Sequence, residues 1–235
     1  MKEKIKKINK LLISYFGIPA RQKRLPNPID TLIATILSQN TNDNNSYRAY
    51  QNLKQKYPTF NKLSSAKRSD IEKVIRVAGL GKQKSEAIKD LLKTINKNGG
   101  TLNRQHFKKM SDDEILEELT SIKGIGVKTA SCVLLFSLDR NVCPVDTHVH
   151  RTLNRIGIVK TKTPAKTFEL IRYNMPKGIA HQFHTNLIKL GRKICKAGKT
   201  LCSICPLVKE CTFKNKNLEK ATSRDKETLL LLDTI

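Results

Sequence analysis

Four cysteines fall within 17 residues near the end of this 235-residue chain, in the pattern Cys195-x6-Cys202-x2-Cys205-x5-Cys211. Thiol groups crowded into so short a segment are typical of a metal site, and a metal site restricts the fold because its ligands must converge. From the spacing alone, structural zinc and an iron–sulfur cluster both remain open. The segment is therefore expected to fold around a metal centre.

The compartment expected for the protein argues against disulfides as the explanation for these cysteines. Residues 1–20 carry a basic stretch before an apolar run, which also occurs in signal peptides. However, Glu3 interrupts the basic part and the apolar residues recur at helical spacing, so we interpret the segment as an amphipathic helix. We expect a cytoplasmic, nucleoid-associated prokaryotic protein, where a reducing environment disfavours disulfides. No apolar run approaches the ~20 residues that span a bilayer, so no membrane partner is expected.

The charge balance points to a polyanionic partner. Lysine and arginine total 45 against 20 aspartates and glutamates, which gives a net charge of +25. Such an excess creates a positive field that attracts DNA, RNA or an anionic membrane. A proteome rich in lysine explains part of the same excess, so the charge favours nucleic acid without identifying it.

Apolar residues recur at helical spacing along most of the chain, and strand-like alternation is scarce. One helix opens at the capping box Ser111-Asp112-Asp113-Glu114. Further helices are predicted over 28–38, 71–77, 84–96, 127–138, 149–156, 165–173 and 182–190. The fold class is therefore predicted to be all-α. The tail ends in four consecutive leucines, and the sequence does not decide whether it packs or frays.

A glycine turn lies between two of these helices, in the segment Ile122-Lys123-Gly124-Ile125-Gly126-Val127-Lys128-Thr129. Two glycines separated by one residue allow a tight turn with positive φ. Without a Cβ, the backbone N–H groups can approach a phosphate, and the start of the next helix favours an anion. Taken alone, the pattern also fits a simple interhelical turn. Its functional interpretation is a sequence-independent grip on DNA.

Lys128 and Asp146 are the candidate catalytic residues. Lys128 falls in the first turn of an apolar helix, where a cation is unfavourable, and a lysine amine can act as a nucleophile. The alternative is a surface lysine that touches phosphate. Asp146 precedes a helix as its expected N-cap. The helix over 127–138 travels about 18 Å. The connection 139–145 can return up to roughly 23 Å, which permits the carboxylate to come back towards the lysine.

The segment from Ile122 through Lys128 to Ala130, followed 18 residues after the lysine by Val-Asp-Thr-His, resembles the helix-hairpin-helix DNA glycosylases, in particular the endonuclease III family. The resemblance covers about residues 28–211. It implies a two-lobed all-α fold. The six-helix lobe is expected over 27–141, the cluster lobe over 1–26 plus 142–215, and a C-terminal tail over 216–235.

The same resemblance implies the chemistry. Lys128 forms a Schiff base with the sugar C1′, and Asp146 assists base departure, so that the enzyme is both a DNA glycosylase and an AP lyase. All four positions of the family's cysteine spacing match, which implies a [4Fe–4S] cluster on Cys195, Cys202, Cys205 and Cys211. The implied partner is double-stranded DNA with a damaged base or an abasic site, and we expect a monomer.

Two loops of the family fill the gap that an extruded nucleotide leaves in the duplex. One matches residues 37–43, where Asn40 stands in place of the usual glutamine and Gln39 lies one step earlier. The other matches residues 79–84, where Leu80 is the expected wedge and Gly81 replaces a common tyrosine. Both stretches can also be read as ordinary helix-ending loops. The residues assigned to DNA contact are Gln39, Asn40, Leu80, Lys123, Gly124 and Gly126.

Three functions remain open at this point. The first is a bifunctional glycosylase/lyase for oxidised pyrimidines, the second a glycosylase for thymine or uracil opposite guanine, and the third a non-catalytic DNA-binding module. The hairpin lysine favours the first, because the mismatch enzymes of the family typically lack it. Lys123 in place of the usual proline and Asn40 in place of glutamine bear on substrate choice more than on chemistry.

Overall fold

The computed structural model describes residues 1–97, 102–220 and 230–235. Within these ranges the regular structure is entirely helical and no residue is in a strand, which confirms the all-α prediction. None of the helices described is long and apolar enough to cross a membrane. Gly99 and Gly100, at which we expect the helix over 84–96 to stop, lie outside the described residues.

In chain order the α-helices are α1 (Lys2–Phe16), α2 (Pro28–Ser38), α3 (Asp43–Lys56), α4 (Phe60–Ser65), α5 (Arg68–Ile75), α6 (Gly81–Lys97), α7 (Arg104–Phe107), α8 (Asp112–Thr120), α9 (Val127–Cys132), α10 (Thr147–Ile156), α11 (Pro164–Arg172) and α12 (Ala180–Lys193). Short 3₁₀ helices cover Arg76–Ala78, Cys202–Ile204 and Leu231–Asp233, and a π-helical turn covers Val133–Ser137. The chain forms two compact units. One comprises Met1–Arg21 with Asn141–Thr228, and the other Gln22–Arg140 with Leu229–Ile235.

Helix α2 is the central element of the second of these units. The side chain of Asn27 caps it by accepting a hydrogen bond from the N–H of Ile29, and Pro28 occupies its first turn. Its apolar residues are almost completely buried, and it packs against α3, α6 and α9. A 2.7 Å hydrogen bond between Thr31 and Ser137 joins it to the π-helical turn. Burial on nearly all sides explains why its sequence is apolar around most of the helix.

The segment predicted as a buried helix over 127–138 is observed as α9 continued by the π-helical turn, and its residues from Thr129 to Ser137 are buried. Of the C-terminal leucines that the structure describes, Leu231 is buried and its 3₁₀ helix contacts α2 and α3, so this end of the chain packs rather than frays. Both elements belong to the same unit as α2.

The other unit contains α1, α10, α11 and α12. The N-terminal segment forms the predicted amphipathic helix, with Ile5, Ile8 and Leu12 fully buried on the face that packs against α12. The side chain of Asn186 donates a 3.0 Å hydrogen bond to the carbonyl of Gly17, which fixes the end of α1. Helix α10 also packs on α12.

Candidate functional site

The glycine turn between α8 and α9 has the geometry of a tight hairpin. Gly124 adopts a φ of 88°, which side chains other than hydrogen rarely allow, whereas Gly126 is extended with a φ of −95°. The N–H of Ile125 donates to the carbonyl of Ile122 over 3.0 Å and closes the turn. Both isoleucines are buried and anchor it. The expected positive φ is therefore found at the first glycine and not at the second.

The start of α9 is open to an anion. Gly126 is the N-cap residue, no side chain caps the helix, and a Cβ at this position would meet nothing within 4 Å. The first N–H groups of a helix lack intrahelical partners, and the helix dipole adds positive potential there. Lys123 extends its exposed side chain beside the turn, with Nζ 4.0 Å from a carboxylate oxygen of Asp90. This surface combines bare backbone donors with a weakly paired cation.

Lys128 is the second residue of α9 and is partly buried. Its neighbours Thr129 and Ala130 are buried, and its carbonyl accepts a 2.9 Å hydrogen bond from the hydroxyl of Ser131. Among the described residues of its own unit, none binds its Nζ by a hydrogen bond or an ion pair. The backbone of this lysine is therefore fixed, while its amine is available for a ligand.

Asp146 caps the N-terminus of α10, as predicted. One carboxylate oxygen accepts a 2.8 Å hydrogen bond from the N–H of Val149. The residues before it, Cys143 to Val145, are buried and hold the chain in place. Because the cap uses one of the two oxygens, the other can serve a second purpose. The sequence therefore specified a rigidly held carboxylate at this position.

His148 and Arg151 lie beside Asp146 and were not singled out from the sequence. The guanidinium of Arg151 lies 3.1 Å from Nδ1 of His148 and donates to the carbonyls of Gly191 and Cys195 over 2.9 and 3.0 Å. Burial lowers the pKa of His148, against an opposing effect of the Asp146 carboxylate. The lowered pKa favours the neutral imidazole, which can accept from Arg151 through Nδ1. His148 and Arg151 are three residues apart and so share one face of α10, and this spacing could have identified them from the sequence.

The four clustered cysteines line a single pocket. The other residues around it are mainly apolar and include Leu190, Ile194 and Leu207. Among the described residues, no three metal-binding side chains lie close enough to share one ion. The four cysteines nevertheless surround one shared space.

The surroundings of the pocket raise the pKa of cysteine thiols, so their thiolate forms are disfavoured unless a metal cation binds to them. Burial, together with the charges of the other three cysteines, raises the pKa of Cys205 to about 12. Burial also raises the pKa of Cys211. Because metal coordination supplies the positive charge that stabilises several adjacent thiolates, these residues form a donor set whose ionisation depends on a metal.

Arg155 connects α10 to the cysteine segment, and this residue was not predicted either. Its guanidinium lies 3.5 Å from Sγ of Cys195 and donates to the carbonyls of Lys196 and Ala197 over 2.7 and 3.1 Å. Its own carbonyl accepts from the thiol of Cys211, and its guanidinium stacks 4.5 Å from the ring centre of Phe213. One residue therefore braces both ends of the segment, with its side chain at Cys195 and its backbone carbonyl at Cys211.

The two loops expected on the lesion side both contain a residue in the left-handed conformation. Asn40, which follows Gln39 at the end of α2, has a φ of 51°, and Leu80 has a φ of 49°. Asparagine tolerates this region, whereas a leucine there costs about 1–2 kcal/mol. Leu80 is 49% exposed, and Gln39 and Asn40 are exposed as well. These turns therefore present side chains to solvent at some cost in backbone strain.

Gly81 follows the Leu80 turn. It stands where the family that the sequence resembles commonly has a tyrosine. A Cβ at this position would lie 3.2 Å from Cγ of Glu72, so a side chain here requires the glutamate to move. The close approach of Glu72 therefore favours a glycine at this position over the larger residue common in the family.

Comparison with known proteins supports one family. Residues 33–177 match the model of the HhH-GPD superfamily of base excision DNA repair proteins. Endonuclease III of Thermotoga maritima is 35% identical over 194 residues, which covers 82% of this chain and 86% of the relative. Endonuclease III of Sulfolobus acidocaldarius is 32% identical over 196 residues, covering 82% and 85%.

Solved structures give the same result for the fold. A non-covalent endonuclease III–DNA complex matches with a TM-score of 0.75 and 27% identity, covering 90% of this chain and 95% of the other. A thermostable thymine-DNA glycosylase matches with the same TM-score at 24% identity, covering 90% and 96%. Because the two scores are equal, the fold does not discriminate between these two kinds of glycosylase.

Proposed function

Because the chain belongs to the HhH-GPD superfamily of base excision DNA repair proteins, we propose that it is a bifunctional DNA glycosylase and AP lyase that removes oxidised pyrimidines from double-stranded DNA. The observation that carries the proposal is the position of Lys128. It lies in the first turn of α9, directly after the anion-accepting glycine turn, with no partner for its amine among the described residues of its unit. A non-catalytic DNA-binding module does not need an amine nucleophile there.

The first chemical step assigned to the protein is departure of the damaged base. Breaking the N-glycosidic bond leaves positive charge on the deoxyribose. A fixed carboxylate stabilises that charge, and we assign this role to Asp146. The hydrogen bond to the N–H of Val149 holds the carboxylate in place, so little reorganisation is needed during the reaction.

The second step assigned to the protein is covalent capture by Lys128. Its neutral amine then bonds to the positively charged C1′ and loses a proton, and opening of the sugar ring gives an imine. The imine acidifies the C2′ proton. Loss of this proton to a base or water expels the 3′ phosphate, and water then hydrolyses the imine and frees the lysine. The strand is thus nicked after the base has been removed.

The glycine turn is assigned to binding of the DNA backbone. The N–H groups at the start of α9 and the exposed ammonium of Lys123 suit phosphate oxygens. The net charge of +25 adds long-range attraction that does not depend on sequence. Gln39, Asn40 and Leu80 are assigned to the space left by the extruded nucleotide, because they are exposed on turns of the same unit. We expect the protein to act as a monomer.

We further propose that the cysteine pocket binds a [4Fe–4S] cluster. Four thiols around one mainly apolar space fit a cluster in which each iron takes one thiolate. When bound, the cluster supplies four cross-links that organise the segment from Cys195 to Cys211. Basic residues in or beside this segment are then placed to approach DNA, namely Lys193, Lys196, Lys199 and Lys209. Arg155 already braces both of its ends.

A thymine or uracil mismatch glycosylase is the second candidate. The fold likeness does not separate it from the first candidate, and Asn40 in place of the usual glutamine bears on the choice of substrate. Rates of base release from duplexes with thymine glycol, dihydrouracil, G·T or G·U separate the two. Faster release from the oxidised pyrimidines supports the main proposal, and faster release from the mismatches supports the alternative.

Borohydride trapping on an abasic-site duplex tests the lyase chemistry. The wild-type protein should form a covalent adduct with DNA, Lys128→Ala should form none, and Lys73→Ala should behave as wild type because Lys73 is an exposed lysine on α5. A wild-type protein that gives no more adduct than Lys128→Ala would show that catalysis does not pass through this lysine.

A further inference from the structure

Lys84 is a fully buried lysine that neither the sequence patterns nor the proposed chemistry uses. It lies in the first turn of α6, and only 1% of its surface is exposed. Its Nζ donates two hydrogen bonds of 2.8 Å, one to the carbonyl of Leu37 and one to the carbonyl of Ala78. Burying an ammonium group costs free energy, and these two charge-assisted bonds offset that cost.

Each of the two carbonyls that Lys84 binds lies at the C-terminal end of a helix. Leu37 is in the last turn of α2, and Ala78 ends the 3₁₀ helix Arg76–Ala78. Carbonyls at helix ends lack intrahelical partners, and a cation is favourable there. One ammonium group therefore satisfies the ends of two different helices and fixes the distance between them.

Each of these helix ends leads directly into one of the exposed turns. Asn40 follows Leu37 by three residues, and Leu80 follows Ala78 by two. Both residues adopt positive φ, at 51° and 49°. Asparagine tolerates this conformation, whereas the Leu80 turn is strained and depends on its surroundings to keep it. Burial lowers the pKa of Lys84 to about 8.

We propose that Lys84 is a positioning residue, whose ammonium ties the carbonyls of Leu37 and Ala78 together and so holds the Asn40 and Leu80 turns at the spacing that fills the gap left by an extruded nucleotide. This inference rests on the proposed function of the two turns. Lys84 is buried and does not touch DNA. It acts on the reaction only through the turns that it joins.

The inference has a consequence that a purely structural role lacks. Removing a base requires it to be unstacked and extruded first, whereas a preformed abasic site has no base to extrude. Loss of the correct spacing between the turns should therefore slow base release more than Schiff-base formation at an abasic site. The ratio of the two activities is the quantity to measure.

Lys89 provides a matched control on the same helix. Its Nζ also donates to two carbonyls, those of Ser64 and Ala66, over 2.6 and 2.9 Å. These carbonyls lie at the end of α4 and lead to neither of the exposed turns. Replacing Lys89 by methionine removes the same kind of interaction without affecting the turns.

The test compares Lys84→Met and Lys89→Met in single-turnover release of thymine glycol and in borohydride trapping on an abasic duplex, with thermal unfolding measured in parallel. Because misplacement by about 1 Å can cost about 100-fold in rate, we expect Lys84→Met to slow base release by about tenfold or more. Trapping should change far less. Lys89→Met should leave the ratio of the two activities unchanged, even where its stability falls.

If both variants reduce the two activities in parallel, Lys84 is only a structural residue and the inference is wrong. If Lys84→Met does not fold, Lys84→Gln serves instead, since its amide can still donate to one carbonyl, and an unchanged ratio in this variant also overturns the inference.

Fluorescence of 2-aminopurine opposite a tetrahydrofuran analogue of an abasic site, which has no C1′ hydroxyl and forms no Schiff base, separates failure of this inference from failure of the proposed function. It reports insertion of the turns without any catalysis. If wild type releases no base, the proposed substrate or activity is wrong, but a weaker fluorescence change with Lys84→Met than with Lys89→Met still supports the positioning role. Equal changes overturn it.

Discussion

Gly191 lies so close to His148 that a Cβ on the glycine would be 2.9 Å from the Cβ of the histidine. The glycine is in α12 and the histidine in the first turn of α10. Arg151 reinforces the contact, because it donates to the carbonyl of Gly191 and lies 3.1 Å from Nδ1 of His148. The absence of a side chain at Gly191 thus sets the position of the helix start that Asp146 caps.

Gly191→Ala is therefore expected to destabilise the protein. Alanine is favoured over glycine within a helix by up to about 1 kcal/mol. Overpacking in a close contact costs typically about 1–3 kcal/mol, so the clash with His148 should outweigh that gain. Urea unfolding measures the difference. Gly198→Ala is the control, because a Cβ there meets nothing within 4 Å. Equal stability of the two variants would contradict the prediction.

Substitutions of Asp146 should separate its two roles. Asparagine caps a helix about as well as aspartate, so Asp146→Asn should keep the hydrogen bond to the N–H of Val149 and leave stability nearly unchanged. Its lost charge should nevertheless slow base release strongly. Asp146→Ala should show the same loss of activity and also cost about 1 kcal/mol of stability. Thermal unfolding and single-turnover base release provide the two readouts. Full activity of Asp146→Asn would rule out the charge as the functional feature.

Iron and acid-labile sulfide should be present in the purified protein and absent from Cys202→Ser. Loss of one of the four thiols from the pocket leaves one iron without its protein ligand, so the brown colour and thiolate-to-iron absorbance should be lost. Cys132→Ala is the control, because Cys132 is buried in α9 outside the clustered segment. A colourless wild-type protein that contains one equivalent of zinc would show that the cluster assignment is wrong.

Binding to DNA should weaken steeply with salt. We expect a slope near −0.9 per phosphate contacted in a plot of log affinity against log salt, with about four to six contacts. Lys123→Ala should reduce the magnitude of the slope by about one contact. Lys73→Ala should not change it, although both lysines are exposed and lie 4.0 Å from an aspartate. A flat salt response of the wild-type protein would contradict DNA as the partner.

Helix α3 shows where sequence patterns failed. It spans Asp43–Lys56, yet periodicity did not predict it, because only Ser46, Ala49 and Leu53 are buried along its length. Such a thin apolar stripe resembles a polar loop. The signal that was available is the cap, since Asn42 accepts a hydrogen bond from the N–H of Asn45. By contrast, α1, α2 and α6 have broad apolar faces and were predicted within a few residues of their observed bounds.

Local sequence was enough to predict the helices with strong apolar faces, the cap at Asp146 and the glycine turn before Lys128, and it placed the four cysteines close together. These features depend on residues a few positions apart, and such local interactions can be read along the chain. Long-range packing is responsible for the burial of Lys84, the close approach of Gly191 to His148 and the brace formed by Arg155. Each of these depends on groups distant in sequence, as with Lys84 and the Leu37 carbonyl 47 residues away. A charged side chain can be buried only where packing brings hydrogen-bond acceptors to it, such as unpaired carbonyls at helix ends. Because these carbonyls come from distant parts of the chain, the residues around the lysine do not predict its burial.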